Sequence, residues 1–308
     1  MIALIFPGQG SQAVRMGKAL SERFPICRET FAEADRTLGE PLSRLCFEGP
    51  EADLRLTENT QPAILTVSVA AYRLLASRGL EPAFLAGHSL GEYTAHVAAG
   101  TIAFADALKI VRRRGRYMQE AVPVGAGAMS AILGLDPATV ARACQEAAEG
   151  DIVAPANLNA PGQVVIAGAR DAVARASERA RQLGAKRVLA LPVSAPFHCA
   201  LMRPAEERLA PELRALPVSD PRVPVVANVD AEPKRDGRSA IEALVRQVSA
   251  PVLWQAVIGR LASEGVRAYV EVGPGTVLSG LVRKIHREAT VANLDHPDGL
   301  DAVESLFR

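Results

Sequence analysis

An excess of charge of either sign is missing from this chain of 308 residues, in which 35 basic residues face 34 acidic ones. That balance excludes a globally basic surface for nucleic acid, although not a local basic patch. Cysteine is scarce. Cys27, Cys46, Cys144 and Cys199 are scattered without C-x-x-C spacing, which points to a reduced, cytoplasmic compartment and to no structural metal site. No apolar run reaches the roughly 18 residues of a membrane span. The N-terminus has no basic n-region and no cleavage site, so neither secretion nor membrane insertion is expected. Repeats and low-complexity segments are absent as well. What is present is a 49% hydrophobic composition, enough for a large core in one elaborated domain or in two.

The most informative stretch is Gly87-His88-Ser89-Leu90-Gly91. It follows the short apolar run Ala83-Phe84-Leu85-Ala86 and precedes a helix-compatible segment. A G-x-S-x-G turn between strand and helix is the layout of a nucleophile elbow, which exposes the serine hydroxyl at a sharp bend. Ser89 is therefore the candidate for an acyl-carrying nucleophile. The backbone N–H of Leu90, at the helix start, is placed to meet a developing oxyanion.

The surrounding pattern is layered. Ile2–Phe6 reads as a strand ending in the loop Pro7–Gln12. Ala63–Ala76 reads as a buried helix opened by Gln61-Pro62, and Phe104–Glu120 as a second helix. Strands and helices alternating at this size predict an α/β domain with a parallel sheet. From residue 126 the rhythm changes. Strand 128–133, helix 137–149, strands 152–157 and 163–167, helix 171–183 and strand 186–193 follow in the order βαββαβ. That order matches a ferredoxin-like subdomain inserted into the larger unit. Helix 204–216, strand 223–228, helix 241–248, strand 266–272 and helix 276–286 then return to the main domain. The loop 230–237 is polar and expected to be exposed.

A serine nucleophile needs a base, and the chain has only five histidines. His88 adjoins Ser89 and should diverge from it. His96 lies about two helical turns further on, out of reach. His286 and His296 sit in charged contexts. His198, where the chain leaves the inserted unit, remains as the candidate base, with a buried hydrogen-bonded histidine as the alternative. Cys199, next to His198, is a weak rival nucleophile, because neighbours in sequence do not easily face each other. On helix 104–120, Arg114 falls within about 60° of the apolar stripe centred on Val111, whereas Arg112, Arg113 and Arg116 point towards solvent. A guanidinium there keeps its charge and must meet an anion. That anion is either a protein carboxylate or a substrate carboxylate held bidentately. Beside an acylated serine, the second choice favours an acyl group with its own free carboxylate, of which malonyl is the smallest common case.

The loop Gly8-Gln9-Gly10-Ser11-Gln12-Ala13 offers the backbone N–H of Gln9 as a second oxyanion donor. It also fits G-x-G-x-x-G/A literally, but a dinucleotide site needs a second strand ending in an acidic residue about 20 residues on. Residues 27–48 read as helix and loop instead.

Together, FPGQGSQ (6–12), NTQPAIL (59–65), GHSLGEY (87–93), RGRYMQEAVP (114–123), QVVIAG (163–168), SAPFHC (194–199), EVGPG (271–275) and LSGL (278–281) resemble the malonyl-CoA:acyl-carrier-protein transacylases of fatty acid synthesis. The resemblance covers nearly the whole chain in the expected order. It implies an α/β-hydrolase-like core, residues 1–125 and 194–308, with an inserted ferredoxin-like subdomain, residues 126–193. It also implies Ser89 as the acylated nucleophile, His198 as its base and Gln247 as the residue whose carbonyl orients the histidine. Arg114 would bind the malonyl carboxylate, and Gln9 and Leu90 would supply the oxyanion donors. Phe197, before His198, fits a small malonyl pocket. The substrates implied are malonyl-CoA and the phosphopantetheine thiol of acyl carrier protein, with no bound cofactor, no metal, no nucleic acid and a monomeric enzyme.

Other readings share parts of this pattern. A serine hydrolase would have no need of Arg114. A discrete polyketide acyltransferase or the transacylase component of a malonate decarboxylase would differ only in partner. A non-catalytic binding module would have no need of the Ser89 hydroxyl. Carrier proteins are acidic, so a basic patch is expected near the cleft. Arg112, Arg113 and Arg116 are one candidate set, Lys186 and Arg187 another, and Arg283, Lys284 and Arg287 a third.

Overall fold

The computed structural model describes residues 1–193 and 195–308. Ser194, at the expected boundary and the start of SAPFHC, lies outside the described residues. The architecture is α/β with two sheets. Strands β1 (Ile2–Phe6), β2 (Phe84–Gly87), β3 (Gly127–Leu133), β4 (Val153–Ala160), β5 (Gln163–Ala169), β6 (Arg187–Ala190), β7 (Val225–Val226), β8 (Pro233–Lys234), β9 (Ala268–Val272) and β10 (Thr290–Leu294) divide between them. The larger sheet has the order β10-β9-β1-β2-β7-β8, parallel except for the β7–β8 pair. The smaller one, β4-β5-β3-β6, is antiparallel throughout.

Side chains alternate across a strand, and both faces of the larger sheet are covered. Leu4, Phe6 and Leu85 pack into one apolar layer, and Ala3, Ile5, Ala86 and Val226 into the other. The central strands are therefore apolar runs without polar alternation. Helices Thr57–Ser77 and Phe104–Glu120 lie in the first layer, and helix Trp254–Ser263 in the second. The smaller sheet has its own core with helices Pro137–Ala147 and Arg170–Gln182. It is pinned to the larger unit where Val252 bonds on both sides of Asn157: Val252 N–H donates to Ala156 C=O and Leu158 N–H to Val252 C=O, each 2.9 Å.

Several boundaries differ from the sequence expectation. The helix expected from Ala63 starts at Thr57, so Pro62 lies inside it rather than in its first turn. The backbone bond lost there is offset by full burial of the segment from Gln61 to Ala71 and by a Thr60 side-chain bond to Leu54 C=O, 2.6 Å. The strand expected over 223–228 shrinks to Val225–Val226, because Ala227 N–H turns to Glu232 C=O and Asn228 N–H to the Glu92 carboxylate. The strand expected to reach Val193 ends at Ala190, and residues 191–193 line the central cleft instead. Part of the loop 230–237 is structured. Pro233–Lys234 pairs with β7, and Asp236 caps helix Gly237–Gln247 by accepting from Ser239 N–H at 2.8 Å. Residues 27–48 contain no strand. They belong to helices Pro25–Leu38 and Leu42–Glu48, so the Gly8–Ala13 loop lacks the partner a dinucleotide site needs. The EVGPG segment ends β9, and the buried Glu271 carboxylate accepts the N–H groups of Leu278 (3.0 Å) and Ser279 (2.7 Å) at the start of the next helix.

His96 is one of the buried histidines that make stability depend on acid. It is fully buried, both ring nitrogens lack a hydrogen-bond partner among the described residues, and burial pushes its pKa down to about 3. Above the unfolded histidine value near 6.5 it is neutral in both states and contributes nothing to pH dependence. As pH falls from about 6.5 towards 3, the unfolded chain takes a proton that the folded chain refuses, and stability is lost. Between pH 7 and pH 5 that loss is about 2 kcal/mol. Urea unfolding of wild type and His96→Gln at the two pH values should show the smaller drop in the variant. Equal drops would mean that the His96 imidazole contributes nothing to the acid sensitivity. Groups common to both proteins cancel in the comparison, including Glu92, whose raised pKa acts in the opposite sense.

Candidate active site

The turn after β2 closes only because its flanks are bare. A Cβ on Gly87 would sit 1.9 Å from the Gly91 carbonyl carbon, and one on Gly91 would sit 2.0 Å from Phe6 O. Ser89 between them has φ 53° and ψ −107°. That conformation costs of order 1–3 kcal/mol for a residue with a side chain. It lifts the hydroxyl out of the turn and starts helix Leu90–Ala98. His198, the residue that meets Ser89, is also held at positive φ, 59°.

Ser89 Oγ lies 2.6 Å from His198 Nε2, and His198 Nδ1 lies 3.0 Å from the backbone carbonyl of Gln247. A carbonyl only accepts, so Nδ1 carries the proton and Nε2 presents its lone pair to the Ser89 hydroxyl. Burial, reinforced by the nearby Arg114 charge, pushes the His198 pKa down to about 3, so the imidazole is a free base near neutrality. No Asp or Glu is bonded to its Nδ1 among the described residues; the carbonyl occupies that place.

Arg114 is 1% exposed and lies on the buried stripe of helix Phe104–Glu120. Its Nη1 donates to Gln61 Oε1 (2.9 Å). Its Nη2 donates to Gln247 Oε1 (2.8 Å) and to Ser89 Oγ (3.1 Å). The guanidinium also stands over the Tyr93 ring, 5.3 Å from its centroid. None of these partners is a carboxylate, and Nε has no partner among the described residues. Of the two anions weighed for Arg114, a protein carboxylate is not bonded to it among the described residues; amides and a hydroxyl occupy the guanidinium.

These groups line a cavity of about 700 Å³ between the two sheets. Ser89, Arg114 and His198 face it from the larger unit, and Met129 and Asn157 from the smaller one. Gln9 and Leu90 line it too. Gln9 is half-buried, with Nε2 donating to Thr57 Oγ1 at 3.3 Å, and Leu90 is buried. Phe197 forms part of the apolar wall. Gln247 lies beneath the cavity, fully buried, and reaches Ser89 C=O as well, with Nε2 to O at 2.9 Å.

Two contributors, Glu92 and Asn228, escaped the sequence reading, whereas His88 behaves as expected. Glu92 accepts from Gln247 Nε2 (2.7 Å) and from Asn228 N–H (3.0 Å), and burial lifts its pKa to about 7 against those two bonds. Asn228 accepts from Ser89 N–H (2.7 Å) and donates to Gly87 C=O (2.8 Å). His88 diverges from Ser89 and meets Asn159 Oδ1 at 2.8 Å. Only the GHSLGEY stretch hinted at Glu92, through its place in the first turn of the helix. Cys199 points away, its thiol donating to Pro196 C=O at 3.1 Å, and burial pushes its pKa up to about 11.

The first candidate basic patch is not a free one. Arg112 pairs with Glu40, Arg113 with Glu212 and Arg116 with Glu58. Lys186, Arg187, Arg283 and Arg287 are exposed and have no carboxylate partner among the described residues. Among the described residues no helix is long and apolar enough to cross a membrane.

The profile of the acyl transferase domain family matches residues 3–304. The malonyl CoA-acyl carrier protein transacylase of Escherichia coli K12 is 51% identical over 305 residues, covering 99% of each chain. The Bacillus subtilis protein of the same name is 47% identical over 307 residues, 99% of this chain and 97% of its own. An acyl carrier protein S-malonyltransferase from Vibrio cholerae superimposes with a TM-score of 0.96 at 48% identity, covering 98% of this chain and 99% of that one. A malonyl-transacylase solved in complex with a type II polyketide synthase acyl-carrier protein superimposes with a TM-score of 0.97 at 46% identity, over 99% of both chains.

Proposed function

The chain belongs to the acyl transferase family, among its malonyl-CoA:acyl-carrier-protein transacylases, and from that premise we propose how its residues move a malonyl group from coenzyme A to the carrier-protein thiol of fatty acid synthesis. The observation that carries the assignment is one oxygen with two neighbours. Ser89 Oγ is 2.6 Å from the His198 base and 3.1 Å from the buried Arg114 cation.

In the first half-reaction His198 Nε2 takes the Ser89 proton as Oγ attacks the thioester carbonyl of malonyl-CoA. The N–H groups of Leu90 and Gln9 receive the oxyanion. The C–S bond breaks, coenzyme A leaves as its thiol with the proton from His198, and a malonyl ester remains on Ser89. In the second half-reaction the phosphopantetheine thiol gives its proton to His198 and attacks that ester. Ser89 Oγ leaves and recovers the proton. Gln247 C=O keeps the imidazole in the tautomer both steps need and takes the place of a triad acid. Arg114 grips the terminal carboxylate of the malonyl group in both halves. The apolar wall, with Met118, Met129 and Phe197, limits water at the ester.

We also describe the two sheets as an α/β-hydrolase-like core, residues 1–125 and 194–308, and an inserted ferredoxin-like subdomain, residues 126–193. The βαββαβ order and antiparallel pairing of the smaller sheet support that description. The serine hydrolase reading is disfavoured by the full-length likeness to transacylases and by the buried cation beside the nucleophile. Polyketide and malonate-decarboxylase roles would use the same chemistry with another partner.

A two-step assay tests the transfer. Enzyme loaded with malonyl-CoA and freed of coenzyme A is mixed with phosphopantetheinylated acyl carrier protein. The expected product is malonyl-carrier protein, detected by its intact mass, with the enzyme returned to its unloaded mass. Release of free malonate with an unchanged carrier would establish a hydrolase instead.

A further inference from the structure

Glu92 is fully buried in the first turn of helix Leu90–Ala98, and nothing in the transfer steps uses it. Its Oε2 nevertheless sits at a junction. It accepts from Gln247 Nε2 at 2.7 Å and from Asn228 N–H at 3.0 Å. Both partners grip the peptide groups of the strained serine. Asn228 Oδ1 takes the Ser89 N–H at 2.7 Å, while Asn228 Nδ2 holds Gly87 C=O at 2.8 Å. Gln247 Nε2 holds Ser89 C=O at 2.9 Å. Gln247 then extends to the other two groups. Its backbone oxygen meets His198 Nδ1 at 3.0 Å, and its Oε1 meets Arg114 Nη2 at 2.8 Å.

We propose that Glu92 is a positioning residue of the acyl transfer, its carboxylate oxygen acting as the common tether through which Gln247 and Asn228 hold the Ser89 turn, the His198 imidazole and the Arg114 guanidinium in register. A positive-φ serine persists only where its surroundings over-determine it. Here the bonds to its N–H and its C=O both lead back to one oxygen. A shift of the order of 1 Å in reacting groups costs about a hundredfold in rate. Losing the tether frees the Gln247 amide to rotate, and with it the Oε1 that fixes Arg114. It also frees the Asn228 backbone that sets the height of the elbow. Neither change removes a contact between Glu92 and substrate, because Glu92 makes none: it does not line the cavity.

The inference rests on the assignment of Ser89 and His198 above, and its test separates the two. Rapid-quench loading with malonyl-CoA, read by intact mass, gives the loading rate constant and KM for wild type, Glu92→Gln, Glu92→Ala and Asn228→Ala. Glutamine keeps an oxygen that accepts from both Gln247 and Asn228, so Glu92→Gln should stay within about tenfold of wild type. Glu92→Ala should lose about a hundredfold in rate constant, with KM for malonyl-CoA moving by less than about threefold. Asn228→Ala should fall in the same direction while leaving Glu92 in place. A folded Glu92→Ala enzyme loading at the wild-type rate would overturn the proposal, and so would Glu92→Gln as slow as Glu92→Ala. Should Glu92→Ala not fold, Glu92→Asp takes its place: its shorter side chain withdraws the shared oxygen from Gln247 Nε2 and Asn228 N–H, so slowed loading with KM kept supports the proposal and loading at the wild-type rate overturns it. A wild-type enzyme without malonyl on Ser89 would sink the Ser89 assignment itself. Normal loading of Ser89 in all the variants would sink only the tether.

Discussion

Ser89→Ala is expected to erase the acyl-enzyme: incubation with malonyl-CoA should leave the intact mass of the variant unchanged, whereas wild type gains one malonyl group. The turnover loss should be about a millionfold, the scale seen when a nucleophile acting with its base is removed. Among the described residues no other nucleophilic side chain meets the His198 base. All four cysteines are buried. Cys199, the one adjacent to the base in sequence, is held away by its bond to Pro196 C=O, and burial pushes its pKa up to about 11. The fold should survive, because Ser89 is held mainly through its peptide N–H and C=O, which alanine retains. A malonyl adduct persisting in Ser89→Ala, on Cys199 or elsewhere, would contradict the assignment.

Arg114→Ala should change which acyl group is accepted. Losing charge-assisted bonds to a desolvated carboxylate costs about 3 kcal/mol or more, equivalent to at least a hundredfold in kcat/KM for malonyl-CoA. Arg114 also contacts Ser89 Oγ and Gln247 Oε1, so acetyl loading will not be left untouched. The discriminating quantity is therefore the ratio of malonyl to acetyl loading, measured with both thioesters in competition. That ratio should collapse by about two orders of magnitude, because only malonyl carries the group the cation grips. A variant slowed equally for both substrates would show that Arg114 serves only to hold Gln247 and Ser89.

What could be read from the chain follows from how locally each piece is encoded. The elbow is local: Gly87, Ser89 and Gly91 stand within five residues, and the apolar run before them marks the strand. Arg114 was legible through helical periodicity, since helix Phe104–Glu120 buries the stripe on which it falls. His198 came forward because only five histidines exist and the others were out of reach or exposed. It meets Ser89 across 109 positions of chain, a distance no local pattern encodes. The contribution of Gln247 was accessible only through resemblance, because its contact with His198 is made by a backbone carbonyl, and every residue has one. Glu92 and Asn228 were missed for a related reason. Their bond joins residues 136 positions apart, and each reads in isolation as an ordinary helix or strand-end polar residue. The end of the strand expected over 223–228 differs because acceptors distant in sequence divert the ladder, the Glu232 carbonyl at Ala227 and the Glu92 carboxylate at Asn228. Helix Trp254–Ser263 and strand Thr290–Leu294 were not anticipated; neither carries a motif of its own, and both are recognised by what they pack against.

The most direct measurement is a crystal structure of the malonyl-loaded enzyme, trapped before any carrier protein is added. The predicted electron density continues from Ser89 Oγ into an ester. Its carbonyl oxygen faces the N–H groups of Leu90 and Gln9, and its far carboxylate lies within hydrogen-bond distance of the Arg114 guanidinium. Density attached to another residue, or a carboxylate directed to solvent while Arg114 keeps only its amide partners, would contradict the account.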